Sequence, residues 1–287
     1  MKQYLTFIII LLLIVISILY GKTLTIKNEN KKTILTETAL TKKEKLTKLE
    51  NIHKEITYFK EENIDRYLNY KRNNNNLNTT QIITEVNIGL DHNYYTHDKL
   101  AEKLNNKLIL VNKYNYLPKD YIPENLEKIN ETYARSGMKL VSYAKDAFEE
   151  MAKDASKENL KIIVMSTYRS YDYQSVLYNN YVQTDGKEKA DTYSARAGYS
   201  EHQTGLAADI YNGKLEYTNF EETKEFKWMQ QNAHKYGFIL RYPKDKVKQT
   251  GYQYESWHYR YVGTEVATYI YENKISYDEY YIQNLDN

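Results

Sequence analysis

Two short segments of this 287-residue chain carry the residue types that could do chemistry. Residues 200–209 read SEHQTGLAAD, and residues 255–260 read ESWHYR. Together they offer two imidazoles and one carboxylate that could bind a metal ion, with a second carboxylate close to the last of these ligands. The candidate ligands are His202, Asp209 and His258. A catalytic zinc ion takes three protein ligands and keeps a fourth position for water, so this set is typical of a hydrolytic zinc site.

The second carboxylate, Glu255, suits the role of a general base. Two neutral nitrogens and one carboxylate leave a zinc ion with net positive charge, which acidifies its water and polarises a substrate carbonyl. Another group must then take the water's proton and pass it to the leaving amine. Glu255 lies three residues before His258, near enough to face that water without binding the metal. Gly205 permits a tight backbone path between His202 and the strand that carries Asp209.

Each of these residues alone has an ordinary structural explanation, but the combination does not. Asp209 alone could end a strand, and Glu255 alone could be a solvated charge. The other four histidines are interpreted as ordinary surface or core residues: His53, His92, His97 and His234. The pattern S-x-H-x-x-G-x-A-x-D should occur by chance on the order of once in 10,000 chains of this length. The linked E-x-W-H motif some fifty residues later makes coincidence rarer still.

The elements that must position these residues alternate without a regular βαβ rhythm. Apolar spacing predicts helices over residues 140–155, 221–236 and 264–272, and a helix that Ser170 caps and that runs to Tyr181. Short apolar or β-branched runs predict strands at 161–165, 206–210, 238–242 and 254–262. No glycine-rich phosphate loop is present in the sequence. We therefore expect a compact α+β domain, with helices flanking the strands that carry the site.

Composition excludes several classes of protein. The chain has no cysteine, which excludes disulfide scaffolds, cysteine-ligated zinc and cysteine nucleophiles. Forty Lys and Arg residues against 38 Asp and Glu leave a formal charge of +2. No block of like charge occurs, so we expect no nucleic-acid partner.

The N-terminus predicts export. Residues 4–20 are uncharged and almost wholly apolar, no small-x-small cleavage site follows, and no cysteine is available for a lipid. We expect a signal-anchor over 1–21, a polar and partly helical stalk over 22–85, and a catalytic domain over 86–287. The Asn cluster at 73–76 predicts a turn or linker. In this hypothesis the protein is a single-pass protein of the cell membrane, with its catalytic domain outside.

The two motifs together resemble the VanY-type D-alanyl-D-alanine carboxypeptidases, of the superfamily that includes lysostaphin-type enzymes and the hedgehog zinc domain. The similarity covers about residues 110–270 and includes STYRS at 166–170 and GFILRYP at 237–243. It implies that the three candidate ligands bind Zn²⁺ and that Glu255 is the catalytic base. It also implies an α+β fold in which an antiparallel sheet carries the metal. The implied substrate is the bacterial peptidoglycan stem peptide, cut before its C-terminal D-alanine.

The resemblance assigns roles to three further residues. Arg169 corresponds to an arginine that stabilises the developing oxyanion. Gln174 and Ser200 correspond to residues that hold the substrate's terminal carboxylate; without the resemblance, an exposed helix residue and a turn residue would be the preferred interpretations. Thr167 stands where many relatives have glycine, which could alter the loop before Arg169 without affecting the metal.

Three alternatives to a zinc D,D-carboxypeptidase remain to be weighed. Ser142–Lys145 matches the S-x-x-K motif of serine-type enzymes, but no S-D-N or K-T-G partner follows, so we reject that mechanism. A non-catalytic wall-binding zinc module is disfavoured because it would need neither Glu255 nor Arg169. An L,D-carboxypeptidase acting on tetrapeptide stems, or a D,D-dipeptidase, would share the same motifs. The sequence does not separate these activities.

Overall fold

The computed structural model describes residues 55–214 and 216–286, and the expected anchor over 1–21 lies outside them. The chain divides into two compact units, Met1–Asp91 with Tyr281–Asn287, and His92–Tyr280. The boundary therefore lies six residues beyond the expected one at 85/86, because a helix continues across that point. The last residues, which we expected in the catalytic domain, group with the first unit instead.

The described part of the first unit is a pair of short helices with its own buried side chains. Helix α1 (Ile64–Asn73) and helix α2 (Thr79–Ile88) are joined by the predicted asparagine-rich turn. Asn78 and Gln81 form a capping box at the start of α2, in which each side chain accepts a hydrogen bond from the other's backbone N–H. Arg66 pairs with Asp91 through two 2.7 Å contacts. Within 55–214 and 216–286, no helix has the length and hydropathy needed to cross a bilayer.

The second unit is built around a four-stranded antiparallel sheet. Its strands lie in the order β5 (Ile163–Ser166), β6 (Ala207–Tyr211), β8 (His258–Tyr261) and β7 (Phe238–Leu240). Two smaller ladders precede it in the chain. One pairs β1 (Lys99–Leu100) with β2 (Asn115–Tyr116), and the other pairs β3 (Leu126–Lys128) with β4 (Lys139–Val141).

Helix α3 (Ser142–Lys157) supplies much of the core of this unit. Its apolar stripe, which includes Ala144, Phe148 and Met151, is fully buried in one cluster with Val164 of β5 and Ile210 of β6. Burial of a side chain as large as Phe148 is worth about 1.5–3 kcal/mol. Ala208 and Ile210 of β6 face this core, so Asp209 between them faces the other side of the sheet.

The second unit contains five further described α-helices that lie wholly within it. They are α4 (Tyr171–Asp185), α5 (Lys187–Tyr193), α6 (Lys224–Asn232), α7 (Val247–Thr250) and α8 (Thr264–Asn273). The division between the units falls within α9 (Tyr277–Asn284).

The predicted helices and strands of the catalytic domain are present with shifted bounds, and Leu140 and Val141, predicted as the start of a helix, lie in β4 instead. Ser170 caps α4 as predicted, its side chain accepting a hydrogen bond from the Tyr173 backbone N–H. The strand predicted at 254–262 is limited to His258–Tyr261, because residues 256–257 form a bend before the ladder begins. The result is a mixed α/β domain in which strands and helices both contribute to the site.

Candidate metal centre and its cleft

The sheet brings two of the candidate ligands together across adjacent strands. Asp209 of β6 is directly opposite His258 of β8 in the antiparallel register. Directly opposite residues on one face of an antiparallel pair have Cβ atoms about 4.5–5.5 Å apart. The 49 residues that separate them in sequence are thus bridged by strand pairing alone.

The third candidate ligand, His202, comes from the turn that leads into β6. It lies in a 3-10 helix, Glu201–Thr204, whose first backbone groups are capped by Ser200. Gly205 ends this helix with φ of +67°, in the left-handed region that favours glycine. The expectation that Gly205 permits a tight path between His202 and the strand is confirmed.

The three ligand groups lie at the spacing that a small metal ion requires. His202 Nε2 is 3.3 Å from Asp209 Oδ2, and His258 Nδ1 is 3.2 Å from Asp209 Oδ1. One ligand atom from each residue lies within 4.8 Å of the other two, and all three residues are buried. Ligand atoms 2.0–2.1 Å from a tetrahedral zinc ion lie about 3.3 Å apart. The geometry therefore fits a zinc ion.

The protonation of His202 gives an independent test of that fit. Its Nδ1 donates a 2.7 Å hydrogen bond to the Thr167 carbonyl, so Nε2 is the nitrogen that faces Asp209. Burial, together with the positive Arg169, lowers the pKa of His202 to about 4. At neutral pH two lone pairs, one on Nε2 and one on Asp209, therefore face each other at 3.3 Å. A cation between them would relieve that repulsion.

The environment of His258 is the opposite. Burial alone would lower its pKa, but the carboxylates of Asp209 and Glu201 outweigh burial and raise the pKa to about 9. Asp209 is also held ionised: although burial opposes this, the adjacent imidazole and Arg169 keep the pKa of its carboxyl well below the usual range. A metal ion takes neutral imidazole and ionised carboxylate, so binding would displace a proton from His258 alone.

Glu255 lies beside the ligands without joining them. Its Oε2 is 3.7 Å from His258 Nδ1, and its side chain is 9% exposed and lines the cleft. Burial, with a further contribution from the negative charge of Asp209, raises the pKa of Glu255 to about 8. A carboxyl group that titrates near neutral pH can both accept and return a proton, which is what a general base and acid must do.

Arg169 is fixed at the cleft edge of the centre by two side chains. Its Nη2 donates to Asp209 Oδ2 at 2.5 Å, and its Nε donates to Ser166 Oγ at 2.9 Å. The side chain is 20% exposed and lines the cleft. The two hydrogen bonds thus fix the guanidinium, and its positive charge lies beside the candidate ligand Asp209.

The structure places Gln174 and Ser200 in the wall of the same cleft, with their polar atoms engaged differently. Gln174 Nε2 donates to the Ala195 carbonyl at 2.7 Å, while its Oε1 has no hydrogen-bond partner among the described residues. Ser200 Oγ accepts from the His202 backbone N–H at 3.4 Å. Gln174 therefore presents an acceptor in this conformation, and a carboxylate would need its amide released from Ala195.

All seven predicted site residues line one cleft of about 1060 Å³ in the second unit. Aromatic rings form part of its wall, among them Tyr217 and Trp257, which meet edge to face with centroids 5.0 Å apart. Its volume is at the upper end of the range found for small-molecule sites. The arrangement can bind an extended polar substrate against a metal-ligand set, a carboxyl base and a fixed cation.

Comparison with known proteins agrees with this chemistry. The family model described as "VanY: D-alanyl-D-alanine carboxypeptidase" matches residues 137–264. The putative carboxypeptidase YodJ of Bacillus subtilis (strain 168) is 43% identical over 189 residues, which are 61% of this chain and 67% of that protein. The chain belongs to the VanY family of zinc-dependent D-alanyl-D-alanine carboxypeptidases.

Two solved structures of VanY-like proteins extend the comparison. The LdcB LD-carboxypeptidase is 39% identical, with a TM-score of 0.59 over 65% of this chain and 93% of that chain. A mutant of the vancomycin-resistance D,D-pentapeptidase VanY in complex with Zn(II) is 34% identical, with a TM-score of 0.54 over 61% and 98%. The predictions of the family, of an enzyme and of zinc as its metal are confirmed.

Sequence reasoning missed several residues that hold the VanY-type centre in place. Thr167 fixes His202 through its carbonyl, and Ser166 fixes Arg169 through its hydroxyl. Glu201 Oε2 lies 3.5 Å from His258 Nε2. No role was assigned to Glu201 from the sequence, although it is part of the first motif. The one signal in the sequence for Glu201 was its position next to His202. The arginines that pair with it, Arg241 and Arg260, lie 40 and 59 residues further along the chain.

Proposed function

We propose that this chain removes the C-terminal D-alanine from peptidoglycan stem peptides that end in D-Ala-D-Ala. The observation that carries the proposal is the buried set of His202, Asp209 and His258 at zinc-ligand spacing, with Glu255 beside it in a cleft. Membership in the VanY family supports the substrate class.

In this proposal His202 binds the metal through Nε2, His258 through Nδ1, and Asp209 through its carboxylate. When bound, zinc supplies a Lewis acid that polarises the scissile carbonyl and acidifies a water molecule. Glu255 accepts the proton that the attacking water loses and passes it to the amine of the departing D-alanine. The raised pKa of Glu255, about 8, suits both halves of that transfer.

Arg169 stabilises the negative charge that develops on the carbonyl oxygen. Its two hydrogen bonds, to Asp209 and to Ser166, hold the guanidinium before the substrate arrives, so little reorganisation is needed during reaction. Ser200 and Gln174 lie in the cleft wall, where they would contact the terminal carboxylate of the substrate. Gln174 must first release the Ala195 carbonyl to offer a donor.

A second candidate activity is removal of the last D-alanine from tetrapeptide stems. The likeness to the LdcB LD-carboxypeptidase favours it, since that structure matches with the higher TM-score of the two compared. The two activities share the metal ligands and the base, and they differ in the configuration of the residue before the cleaved bond.

The test is direct. The zinc-loaded protein is incubated with a pentapeptide stem ending in D-Ala-D-Ala and, separately, with the matching tetrapeptide, and products are followed by mass spectrometry. Release of one D-alanine from the pentapeptide supports the proposal, and cleavage of the tetrapeptide alone replaces it with the L,D activity. Cleavage of neither by the zinc-loaded protein would refute both. Chelators should inhibit and β-lactams should not.

We also propose that residues 1–21 anchor the protein in the bacterial cell membrane, with the catalytic unit outside. The uncharged run over 4–20 supports this, as does a substrate that is a component of the cell wall. Fractionation of intact cells, followed by protease treatment from outside, tests it. The catalytic unit should be digested while cytoplasmic markers survive; recovery of a protease-resistant protein in the cytoplasmic fraction would contradict the proposal.

A further inference from the structure

A buried carboxylate faces the opposite side of the His258 ring from Glu255. Glu201 precedes His202 in the 3-10 helix, and its side chain is 0% exposed. No metal-ligand role falls to it, because its carboxylate faces the far side of His258. Its Oε2 is 3.5 Å from His258 Nε2. A carboxylate so completely buried needs a reason to be there.

The two nitrogens of His258 face different carboxylates. Nδ1 is directed to Asp209 at 3.2 Å, on the side of the proposed metal, and Nε2 is directed to Glu201. Neither His258 Nε2 nor Glu201 Oε2 has a hydrogen-bond partner elsewhere among the described residues. At 3.5 Å their separation is long for a hydrogen bond, but the two atoms are complementary, since a protonated Nε2 donates and a carboxylate oxygen accepts. Arg241 Nη2 is a further buried donor without a partner among the described residues.

Two buried arginines fix the orientation of Glu201. Arg241 Nε donates to Glu201 Oε1 at 2.8 Å, and Arg260 Nη1 donates to the same oxygen at 3.0 Å. Both bonds fall on Oε1, which leaves Oε2 to His258. Arg241 is balanced on its other side by Asp278, at 2.6 Å from Nη1. The network therefore contains two positive and two negative side chains, and it holds Glu201 ionised with one oxygen committed to His258.

We propose that Glu201 is a positioning residue for the metal centre. It accepts a hydrogen bond from His258 Nε2–H, keeps the imidazole proton on that nitrogen, and so keeps the Nδ1 lone pair directed to the metal. The inference rests on the ligand set in the proposed function and extends it. Carboxylates that accept from the second nitrogen of a ligating histidine fix its tautomer and ring orientation. The Thr167 carbonyl does the same for His202, through the opposite nitrogen.

The two histidines are thus expected to have opposite tautomers. His202 carries its proton on Nδ1 and would bind through Nε2, while His258 carries its proton on Nε2 and would bind through Nδ1. A purely structural Glu201, present only to pair the arginines, predicts a His258 Nε2–H that has no hydrogen-bond acceptor. The two explanations therefore differ in a property that is measured on the histidine and not on the glutamate.

The first test is Glu201→Gln, with zinc affinity measured by competition with a chromophoric chelator. The amide oxygen of glutamine will turn to the arginines, so its NH₂ will face His258 Nε2–H and replace an acceptor with a donor. We expect zinc to bind about 10–100-fold more weakly. The matched control is Asp278→Asn, which removes the other carboxylate of Arg241 without touching His258. Its zinc affinity should stay within about threefold of wild type.

Two results of this test would overturn the proposal. One is zinc affinity in Glu201→Gln within about threefold of wild type. The other is an equal loss of affinity in Asp278→Asn, because that would assign the effect to the arginine network as a whole. Thermal unfolding of both metal-free variants is measured alongside, so that loss of fold is not mistaken for loss of metal.

The second test needs no substitution at Glu201 and covers the case in which that variant does not fold. Nitrogen NMR of histidine-labelled, zinc-loaded wild-type protein reports which ring nitrogen carries the proton. We expect Nδ1–H for His202 and, for His258, an Nε2–H whose proton resonance is shifted downfield by a carboxylate acceptor. A proton on Nδ1 of His258, or an Nε2–H without that downfield shift, would overturn the proposal. Neither test uses a peptide substrate. A protein that gives these zinc and tautomer results but cleaves neither stem peptide would contradict the proposed function and leave this inference standing.

Discussion

The two sides of the metal centre are built on opposite electrostatic principles. On the inner side, Glu201, Arg241 and Arg260 have 0% exposed side chains and pair with one another at 2.8–3.0 Å. On the cleft side, Glu255 approaches the nearest ligand nitrogen only to 3.7 Å, and Arg169 remains 20% exposed. Charge is thus fully compensated on the inner side and only partly compensated in the cleft, where the proposed mechanism requires it to change.

The difference shows in the pKa values of the two glutamates. Burial opposes ionisation of both, but Arg241 and Arg260 hold the pKa of Glu201 well below its usual range. Glu255 has no such pair beside it, so burial prevails and raises its pKa to about 8. Two carboxylates within a few residues of the candidate ligand histidines thus acquire different properties from their surroundings: one stays an acceptor, and the other can exchange a proton.

The largest expected effect comes from removing a ligand that both sides share. His202→Ala or His258→Ala should abolish stoichiometric zinc binding and, with it, detectable carboxypeptidase activity, because two protein ligands do not retain a catalytic zinc. Elemental analysis of the purified variants measures the metal. His234→Ala is the control: this histidine stacks on Tyr271, with ring centroids 3.8 Å apart, and takes no part in the site. Normal zinc content in either ligand variant would contradict the assignment.

The next effect separates the base from the ligands. Glu255→Ala should keep zinc and fold but lower kcat by about 10²–10⁴-fold, because it removes the group that we propose as general base. Steady-state kinetics with the stem peptide, beside metal analysis, measures both properties. Full activity in this variant would remove the assignment of Glu255 as the base.

Arg169 contacts the candidate ligand Asp209 and also lines the cleft. Its substitution separates two roles, stabilisation of the oxyanion and orientation of Asp209. Arg169→Lys keeps a positive charge but loses the fork that spans Asp209 and Ser166. If Arg169 stabilises the oxyanion, kcat should fall by about 10²–10³-fold with zinc still bound. Loss of zinc in this variant would instead mean that Arg169 acts by orienting Asp209.

The pH dependence of zinc binding compares the two histidines directly. The metal-free protein holds a proton on His258 below pH 9, where its pKa lies, but none on His202 above pH 4. Binding must therefore displace one proton between about pH 6 and pH 9. Apparent zinc affinity should rise about tenfold per pH unit over this range and level off above it. Zinc titrations at several pH values measure the slope; a hundredfold change per unit would mean that a second group, His202 or Glu255, also loses a proton on binding.

The sequence predicted the cleft side of the site far better than the inner side. His202, Asp209, His258 and Glu255 fall within two compact motifs whose spacing already indicates a zinc hydrolase. Glu201 lies in the first motif as well, but its function depends on Arg241 and Arg260, which approach only after the strands have paired. The spacing of a motif shows which residue types are present. It does not show which nitrogen of each histidine would bind the metal, because that depends on the tertiary contacts of the ring.

The fold shows the same limit. Apolar periodicity located α3 and the strands of the main sheet, because those patterns reflect burial on one face. The two-stranded ladders of β1 to β4 were missed, since strands of two or three partly exposed residues have no periodicity to detect. The boundary between the units lies at Asp91/His92 and not at the expected 85/86. Helix α2, which runs across the expected boundary, belongs to the first unit. Composition did not show this, because the apolar residues of α2 resemble those of the second unit.

The smallest expected effect tests the turn that supports both Glu201 and His202. Gly205 has φ of +67°, and a Cβ there would lie 2.8 Å from Leu126 Cδ2. Gly205→Ala should therefore cost about 1–2 kcal/mol of stability from the left-handed backbone, with some further cost from crowding. Gly213→Ala is the matched control, since its φ is +78° but its nearest new neighbour, Lys161 Nζ, is 3.6 Å away. Thermal unfolding should show the larger loss for Gly205→Ala, with zinc affinity per folded molecule unchanged. A large loss of zinc affinity without loss of stability would mean that the turn determines the ligand geometry itself, and that the inner side of the centre is less rigid than its buried ion pairs indicate.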